Sequence, residues 1–149
     1  MKPKIRPIAI GVFRQADKIF VFEGYDSVKD EVFYRPVGGG VEFGEHSRQA
    51  LVREMQEEFA ADIAKLRHLA TLENIFTNDG QPGHEIVFIY EAEFVDRAMV
   101  EQAVIMGQED DGSLFRAVWK PLTDFHNDGP PLYPDGLLEL LTMEESQQP

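Results

Sequence analysis

Cysteine is absent from this 149-residue chain. That excludes a disulfide framework and any metal-binding or nucleophilic site built on thiolate. Basic residues are scarce: 14 Lys and Arg stand against 27 Asp and Glu, for a net charge of −13. A polyanionic backbone needs a basic face, so the balance argues against a nucleic-acid partner. A phosphorylated ligand would likewise need cations supplied from outside the chain. No apolar run approaches the roughly 20 residues of a membrane span. The opening MKPKIRP is basic, but the IAIGVF that follows it is too short for a signal-peptide core. No membrane contact and a cytoplasmic location are therefore expected. No repeat of roughly 20–50 residues and no low-complexity block divides the chain. What is present is an ordinary globular composition, 43% hydrophobic and 28% charged, at a length that fits one domain over residues 1–149.

Apolar periodicity places the elements. Ile8–Phe13 and Lys18–Phe22 are short, β-branched and aromatic, and they flank the polar break Arg14–Asp17, which predicts a hairpin. Asp26–Glu31 is a polar loop, and Val32–Arg35 a strand leading to Pro36. Ser47–Ala60 is the clearest helix, with Leu51, Val52, Met55 and Phe59 gathered on one arc that should face inward. Leu66–Phe76 and His84–Val95 bracket Asn78-Asp79-Gly80 and predict a long antiparallel pair. Asp96–Met106 reads equally as helix or loop. An acidic turn at Glu109–Gly112 precedes a last strand, Phe115–Trp119, then a proline-started turn at Pro121–Phe125 and a loop at Asn127–Pro134. Asp135 is placed to cap a helix over Gly136–Met143, and the tail 144–149 is expected to be frayed. Hairpin-linked strands with helices between them, and no alternating βαβ run, imply an α+β class with a mixed sheet covered by helices.

The most unusual stretch is Gly38-Gly39-Gly40-Val41-Glu42-Phe43-Gly44-Glu45, which leads directly into the amphipathic helix. Adjacent glycines let a backbone approach a ligand closely and take positive φ. No Lys-Ser/Thr follows, so the stretch is not a Walker A loop; Phe43 stands where a dinucleotide fingerprint has its last glycine. A flexible strand-to-helix turn explains the glycines equally well. On the helix, Glu54, Glu57 and Glu58 fall at spacings of three and four and share one side. Glu54 and Glu58 form an i, i+4 like-charge pair that costs roughly 0.2–0.5 kcal/mol. Glu57 and Glu58 sit in the last turn, where the helix dipole disfavours anions by about 0.3–1 kcal/mol. Arg53 offsets Glu57 at i, i+4. A solvated acidic face is one reading; the other is a hard divalent cation, which takes oxygen ligands and leaves positions for water and phosphate.

Together, loop and helix resemble the signature box of the Nudix hydrolases, G-x5-E-x7-R-E-U-x-E-E-x-G-U with U aliphatic. Here it runs Gly39, five residues, Glu45, seven residues, then Arg53-Glu54-Met55-Gln56-Glu57-Glu58-Phe59-Ala60-Ala61. The box covers 23 of the 149 residues, and every charged position matches. The chain departs from it at Ala60, where the family has a helix-ending glycine, at the small Ala61, and at Pro36, one residue earlier than usual. A slightly altered helix terminus is expected. The preceding strands and the Trp119-Lys120-Pro121-Leu122 segment are also similar to the family. The resemblance implies a single α/β/α sandwich with a mixed sheet. It also implies hydrolysis of a nucleoside diphosphate linked to another moiety, with Mg²⁺ (or Mn²⁺), in a family where homodimers are frequent. By position, Glu57 and Glu58 match metal-binding carboxylates, Glu54 one that binds metal or activates water, and Gly38 a carbonyl ligand. Arg53 and Glu45 match residues that orient those acids. Such a cation would reconcile a polyphosphate ligand with a charge of −13.

Outside the box, Glu109 in the acidic turn and Glu85 at a strand start are candidates for a further acid, each also readable as an ordinary surface or strand-end residue. Arg35 is placed to contact a phosphate or to form a structural ion pair. Phe76 and Tyr34 are placed to stack on a base or to fill the core. Asp124, His126, Asp128, Gly129 and Asp135 partly echo a calcium loop, but three prolines interrupt the segment and His126 is wrong for its position. Markers of the ADP-ribose, dinucleoside-polyphosphate and coenzyme A subfamilies are missing, with Phe76, Thr77, Asn78 and Asp79 in the positions that follow the box. The competing reading is a nucleotide-sensing module that kept the fold and lost the chemistry. Such a module would have shed glutamates, whereas Glu45, Glu54, Glu57 and Glu58 are all present.

Overall fold

A computed structural model describes residues 3–146, so the end of the tail, 147–149, lies outside the described residues. Strands β1 (Ile5–Gln15) and β2 (Lys18–Asp26) meet in a tight turn, with Ala16 at φ 54°. The expected hairpin exists only at its root. The two strands pair at Arg14↔Ile19 and Gln15↔Lys18 and then splay apart. Strand β3 (Glu31–Gly40) fills the opening: its first half pairs with β2 and its last four residues with β1. The glycine stretch is thus strand as far as Gly40 rather than loop. Every residue from Ile8 to Phe13 on β1 is buried, as befits a strand covered on both faces.

Strands β4 (Ile63–Asn78) and β5 (Gln81–Phe94) form the expected long pair, each longer than its apolar run. Asp79 and Gly80 turn between them at φ 52° and 77°, both positive as a primed hairpin turn requires. β5 then runs parallel to β1, from Ile5↔His84 to Phe13↔Ala92. The ambiguous segment resolves into a one-turn helix, α2 (Ala98–Glu101), and a strand, β6 (Val104–Gln108), which pairs with β7 (Leu114–Pro121). The order β4-β5-β1-β3-β2-β7-β6 contains a single parallel junction, β1–β5, so the sheet is mixed.

Helices cover both faces. On α1 (Ser47–Phe59), Ala50, Leu51 and Met55 pack on Phe13, Phe20 and Trp119. Phe13 stacks on Phe94 at 4.1 Å between centroids, and the Trp119 indole N–H bonds the Met99 carbonyl at 2.9 Å, which ties α2 to this layer. On the opposite face, Leu137 and Leu141 of α3 (Leu137–Ser146) pack on Ile10, Val87 and Ile89. The result is an α/β/α sandwich. Val52 departs from the expected inward arc: it is 39% exposed, and Ala50 takes the buried place. The helix after Asp135 starts at Leu137, whose N–H is taken by the Pro134 carbonyl at 3.1 Å rather than by Asp135. It continues past Met143 to Ser146, into the segment expected to fray.

The end of α1 shows what Ala60 does where a glycine is usual. Ala60 adopts φ 51°, ψ 37°, and its N–H bonds the Gln56 carbonyl at 2.9 Å, so the left-handed cap is kept by a residue whose Cβ opposes it. Ala60→Gly should therefore stabilise the fold by about 1 kcal/mol, raising the melting temperature by roughly 2–4 °C. A lowered melting temperature in a thermal scan would contradict this reading of the terminus.

Candidate active site

The end of β3 sets the spacing of the site. At Gly38, φ is 151° and a Cβ would lie 2.0 Å from the Ala9 carbonyl oxygen, so only glycine fits between β1 and the site. At Gly39 a Cβ would stand 2.4 Å from the carboxyl carbon of Glu54. The bare backbone of β3 is what lets the α1 glutamate lie directly against the strand.

Arg53 holds these pieces together. Its Nε and Nη2 donate to the two oxygens of Glu45 at 2.8 and 2.9 Å, a two-pronged pairing that joins the loop to the helix. Nη2 also donates to the Gly40 carbonyl at 2.9 Å. Nη1 donates to Glu54 at 2.9 Å and to Glu57 at 3.2 Å, the latter being the expected i, i+4 contact. The guanidinium bonds hold the Glu45 carboxyl down at about 2, and the Glu42–Glu45 backbone contact acts in the same direction. Glu45 and Arg53, expected as orienting residues, are paired with each other here.

The next acid, Glu58, is in the opposite condition. Burial pushes it up to about 9, and the neighbouring charges of Glu54 and Glu109 and a hydrogen bond with Glu54 add to the shift. Glu109 is also raised, by burial first and then by Asp110, Asp111 and Glu54. Two carboxylates within hydrogen-bonding reach need a proton or a cation between them. Arg35, Gly38, Glu58 and Glu109 line one small cleft, with Phe22 and Phe115 beside them. Of the two acids proposed outside the box, Glu109 is the one brought to the helix acids. Glu57 lies further out, its side chain 43% exposed and bonded to Arg53.

Among the described residues no three His, Asp or Glu side chains close into a complete ligand cage. The donors that do face one another are all carboxylate oxygens. This hard set suits Mg²⁺ or Mn²⁺, which take one or two carboxylates and complete their shell with water and substrate phosphate. Glu54 and Glu58 would be the holding residues, with Glu109 near Glu58 and Gly38 in the wall of the same cleft.

Glu85 and Phe76 lie elsewhere, in a neighbouring cavity of about 450 Å³. Arg35 and Phe22 line both this cavity and the acidic cleft, so the two lie side by side with these residues between them. Arg35 reaches Glu85 at 3.8 Å, so the ion pair considered for it exists, and its position between the two compartments also leaves it facing the site. Tyr34 is core: it is 7% exposed, its hydroxyl donates to Glu23 at 2.9 Å, and burial with that bond pushes it up to about 12. Sequence reasoning missed Asn74, Phe33 and Tyr133, which also line the large cavity. Asn74 alone carried a signal, as a polar residue two places from Leu72 and Phe76 on the inward face of its strand.

The architecture and site define a sandwich domain with a glycine-ended strand set against an acidic helix. The NUDIX domain family model matches residues 3–137, and the chain belongs to that family. Membership makes it a pyrophosphohydrolase by class, acting on phosphoric anhydrides. Among solved structures it is similar to the E. coli ORF135 protein, with 21% identity, TM-score 0.59, and coverage of 99% of this chain and 95% of that one. It is also similar to a NUDIX hydrolase from Nitrosomonas europaea, with 16% identity, TM-score 0.66 and coverage of 96% and 90%. An ADP-ribose pyrophosphatase from Streptococcus suis shares 18% identity at TM-score 0.59, with coverage of 97% and 94%. At these identities the likeness is one of fold. No curated protein matches the sequence.

The two glycines should fail differently. Gly38→Ala sets a methyl against backbone and should cost more than about 2 kcal/mol of stability. In Gly39→Ala the methyl meets only the end of a flexible side chain, so the fold should persist while Glu54 is displaced. Turnover should then fall about a hundredfold or more. Denaturant melts and kcat measured on both variants check this; equal stability losses would contradict it.

Proposed function

We propose that this chain hydrolyses a nucleoside diphosphate linked to another moiety, using Mg²⁺ (or Mn²⁺), by attack of water on phosphorus. The observation that carries the reading is that the acidic cleft and the larger cavity adjoin, with Arg35 in the walls of both. One end offers carboxylates for a cation and the other a partly aromatic space for an organic group, with a single guanidinium between them. The Streptococcus suis neighbour, named an ADP-ribose pyrophosphatase, supports a pyrophosphate bond as the target.

The chain's own residues divide the work. Arg53 fixes Glu54 through Nη1 and Glu45 through Nε and Nη2, so the acids meet the substrate already oriented. Glu54, against Gly39, is placed to hold a cation or to accept a proton from the attacking water. Glu57 and Glu58 are the remaining cation-holding acids, and Glu109 is the further acid. Arg35 is placed to pair with a phosphate oxygen as the P–O bond of the anhydride breaks. Bound Mg²⁺ would supply charge neutralisation of the diphosphate and a lowered pKa for the attacking water. The two products would be phosphate esters, one of them a nucleoside monophosphate. No helix among the described residues is long and apolar enough to cross a membrane. We place the protein in the cytoplasm, acting on small nucleotides, with homodimerisation open to test.

The experiment is turnover with Mg²⁺ on ADP-ribose, nucleoside triphosphates, diadenosine polyphosphates and nucleotide sugars, with products identified by mass and an EDTA control. Metal-dependent release of a nucleoside monophosphate is expected. Glu57→Gln combined with Glu58→Gln should lower it at least about a hundredfold. Unchanged turnover in that double variant would sink the proposal. Nucleotide binding with no hydrolysis anywhere in the panel would instead identify a sensing module.

A further inference from the structure

The larger cavity carries information about the organic half of the ligand. Phe33, Phe76 and Tyr133 give it aromatic walls. Several of its polar side chains are already engaged: Asp26 accepts the Val28 and Lys29 N–H groups at 3.0 Å, Lys29 donates to the Thr77 carbonyl at 2.9 Å, and the Tyr133 hydroxyl meets Glu31 at 3.4 Å. Thr77, Asn78 and Asp135 are open to solvent. Two lining residues are instead buried. Asn74 and Glu85 are direct register partners across β4 and β5, and they are only 6% and 5% exposed. Each shares its strand face with a residue of the apolar layer, Asn74 with Leu72 and Glu85 with Val87. Asn74 makes no side-chain hydrogen bond to any described residue. Glu85 has only the 3.8 Å approach of Arg35, which is too long for a hydrogen bond. A buried amide and a buried carboxylate that face a cavity with no hydrogen-bond partner are groups whose hydrogen bonds a ligand can complete.

Their chemistry specifies the partner. An ionised carboxylate only accepts, through two oxygens, whereas an amide both donates and accepts. We infer that Glu85 and Asn74 read the Watson–Crick edge of a guanine base, which makes the substrate a guanosine diphosphate derivative. In that pairing Glu85 accepts N1–H and the 2-amino group through its two oxygens, and the Asn74 amide N–H donates to O6. Guanine alone among the common bases presents two adjacent N–H donors. Adenine would turn its N1 lone pair, and cytosine its N3 lone pair, towards the carboxylate; uracil has one N–H flanked by two carbonyls. A cavity of about 450 Å³ lies within the usual range for a small-molecule site. The acids on its walls disfavour phosphate there, which directs the diphosphate past Arg35 towards Glu58. This inference rests on the nucleotide reading proposed above.

The test is equilibrium binding of GMP, IMP and AMP to the full chain with Mg²⁺, followed by calorimetry or NMR titration. IMP lacks only the 2-amino group, so GMP should bind about tenfold tighter than IMP, with AMP weaker still. Glu85→Gln should bring the GMP-to-IMP ratio close to one. Any disturbance of Arg35 in that variant cancels, because both ligands carry the same phosphate. Asn74→Leu should weaken GMP and IMP alike, since both have O6. AMP binding as tightly as GMP, or a GMP-to-IMP ratio untouched by Glu85→Gln, would overturn the assignment, and the wild-type series decides the first point without any variant. A GMP preference with no hydrolysis of any guanosine derivative would overturn the hydrolase reading and leave the pocket standing. Equal kcat/KM for derivatives of every base would overturn the pocket and leave the hydrolase standing.

Discussion

One guanidinium organises the site. Arg53 has five N–H donors and makes five hydrogen bonds, to both oxygens of Glu45, to Glu54, to Glu57 and to the Gly40 carbonyl. It thereby joins the end of β3, the loop after it and the acidic side of α1. Three carboxylates this close would repel one another without it, and α1 would lose the anchor that fixes its rotation against the strand. A lysine has the charge but not the planar fork, so it cannot reach the same set of acceptors in fixed directions. The glycines of β3 are the counterpart of this clamp, because they remove the side chains that would hold Glu54 away from the backbone.

The clamp neutralises only part of the acid it gathers. Glu45 is held ionised, whereas Glu58, next to Glu54 and near Glu109, is driven towards its protonated form when no cation is present. The site is thus divided into an acid set satisfied from within and an acid set that needs a partner from outside. That division is what would let a chain of net charge −13 accept a polyphosphate. Cations supplied from solution and Arg35 would do locally what the overall charge cannot.

Much of this was legible in the sequence, for a physical reason. Ligand spacing on a helix is rigid, so Arg53, Glu54, Glu57 and Glu58 could be assigned to one side of α1 from their numbers alone. The antiparallel pair β4–β5 was legible because Asp79-Gly80 has one favoured turn. What depended on long-range pairing was not. The hairpin of β1 and β2 splays because β3 enters between them, and no local pattern announces an insertion made from a later strand. Gly38–Gly40 suggested a loop because glycine is poor in strands, yet close packing of β1 and Glu54 requires glycine in that strand. Val52 lay within the apolar arc but falls at its exposed margin, where Ala50 fits the tighter space. Asn74 passed unnoticed because one polar residue in an alternating strand has meaning only once the cavity it faces is known.

The most direct test of the central role of Arg53 is divalent-metal binding in Arg53→Lys, a change that keeps the charge and removes the fork. Mn²⁺ affinity, measured by paramagnetic titration of the folded protein, should fall about tenfold or more relative to the wild type. An unchanged affinity in a folded Arg53→Lys protein would show that the acids are positioned without the clamp and would contradict the account.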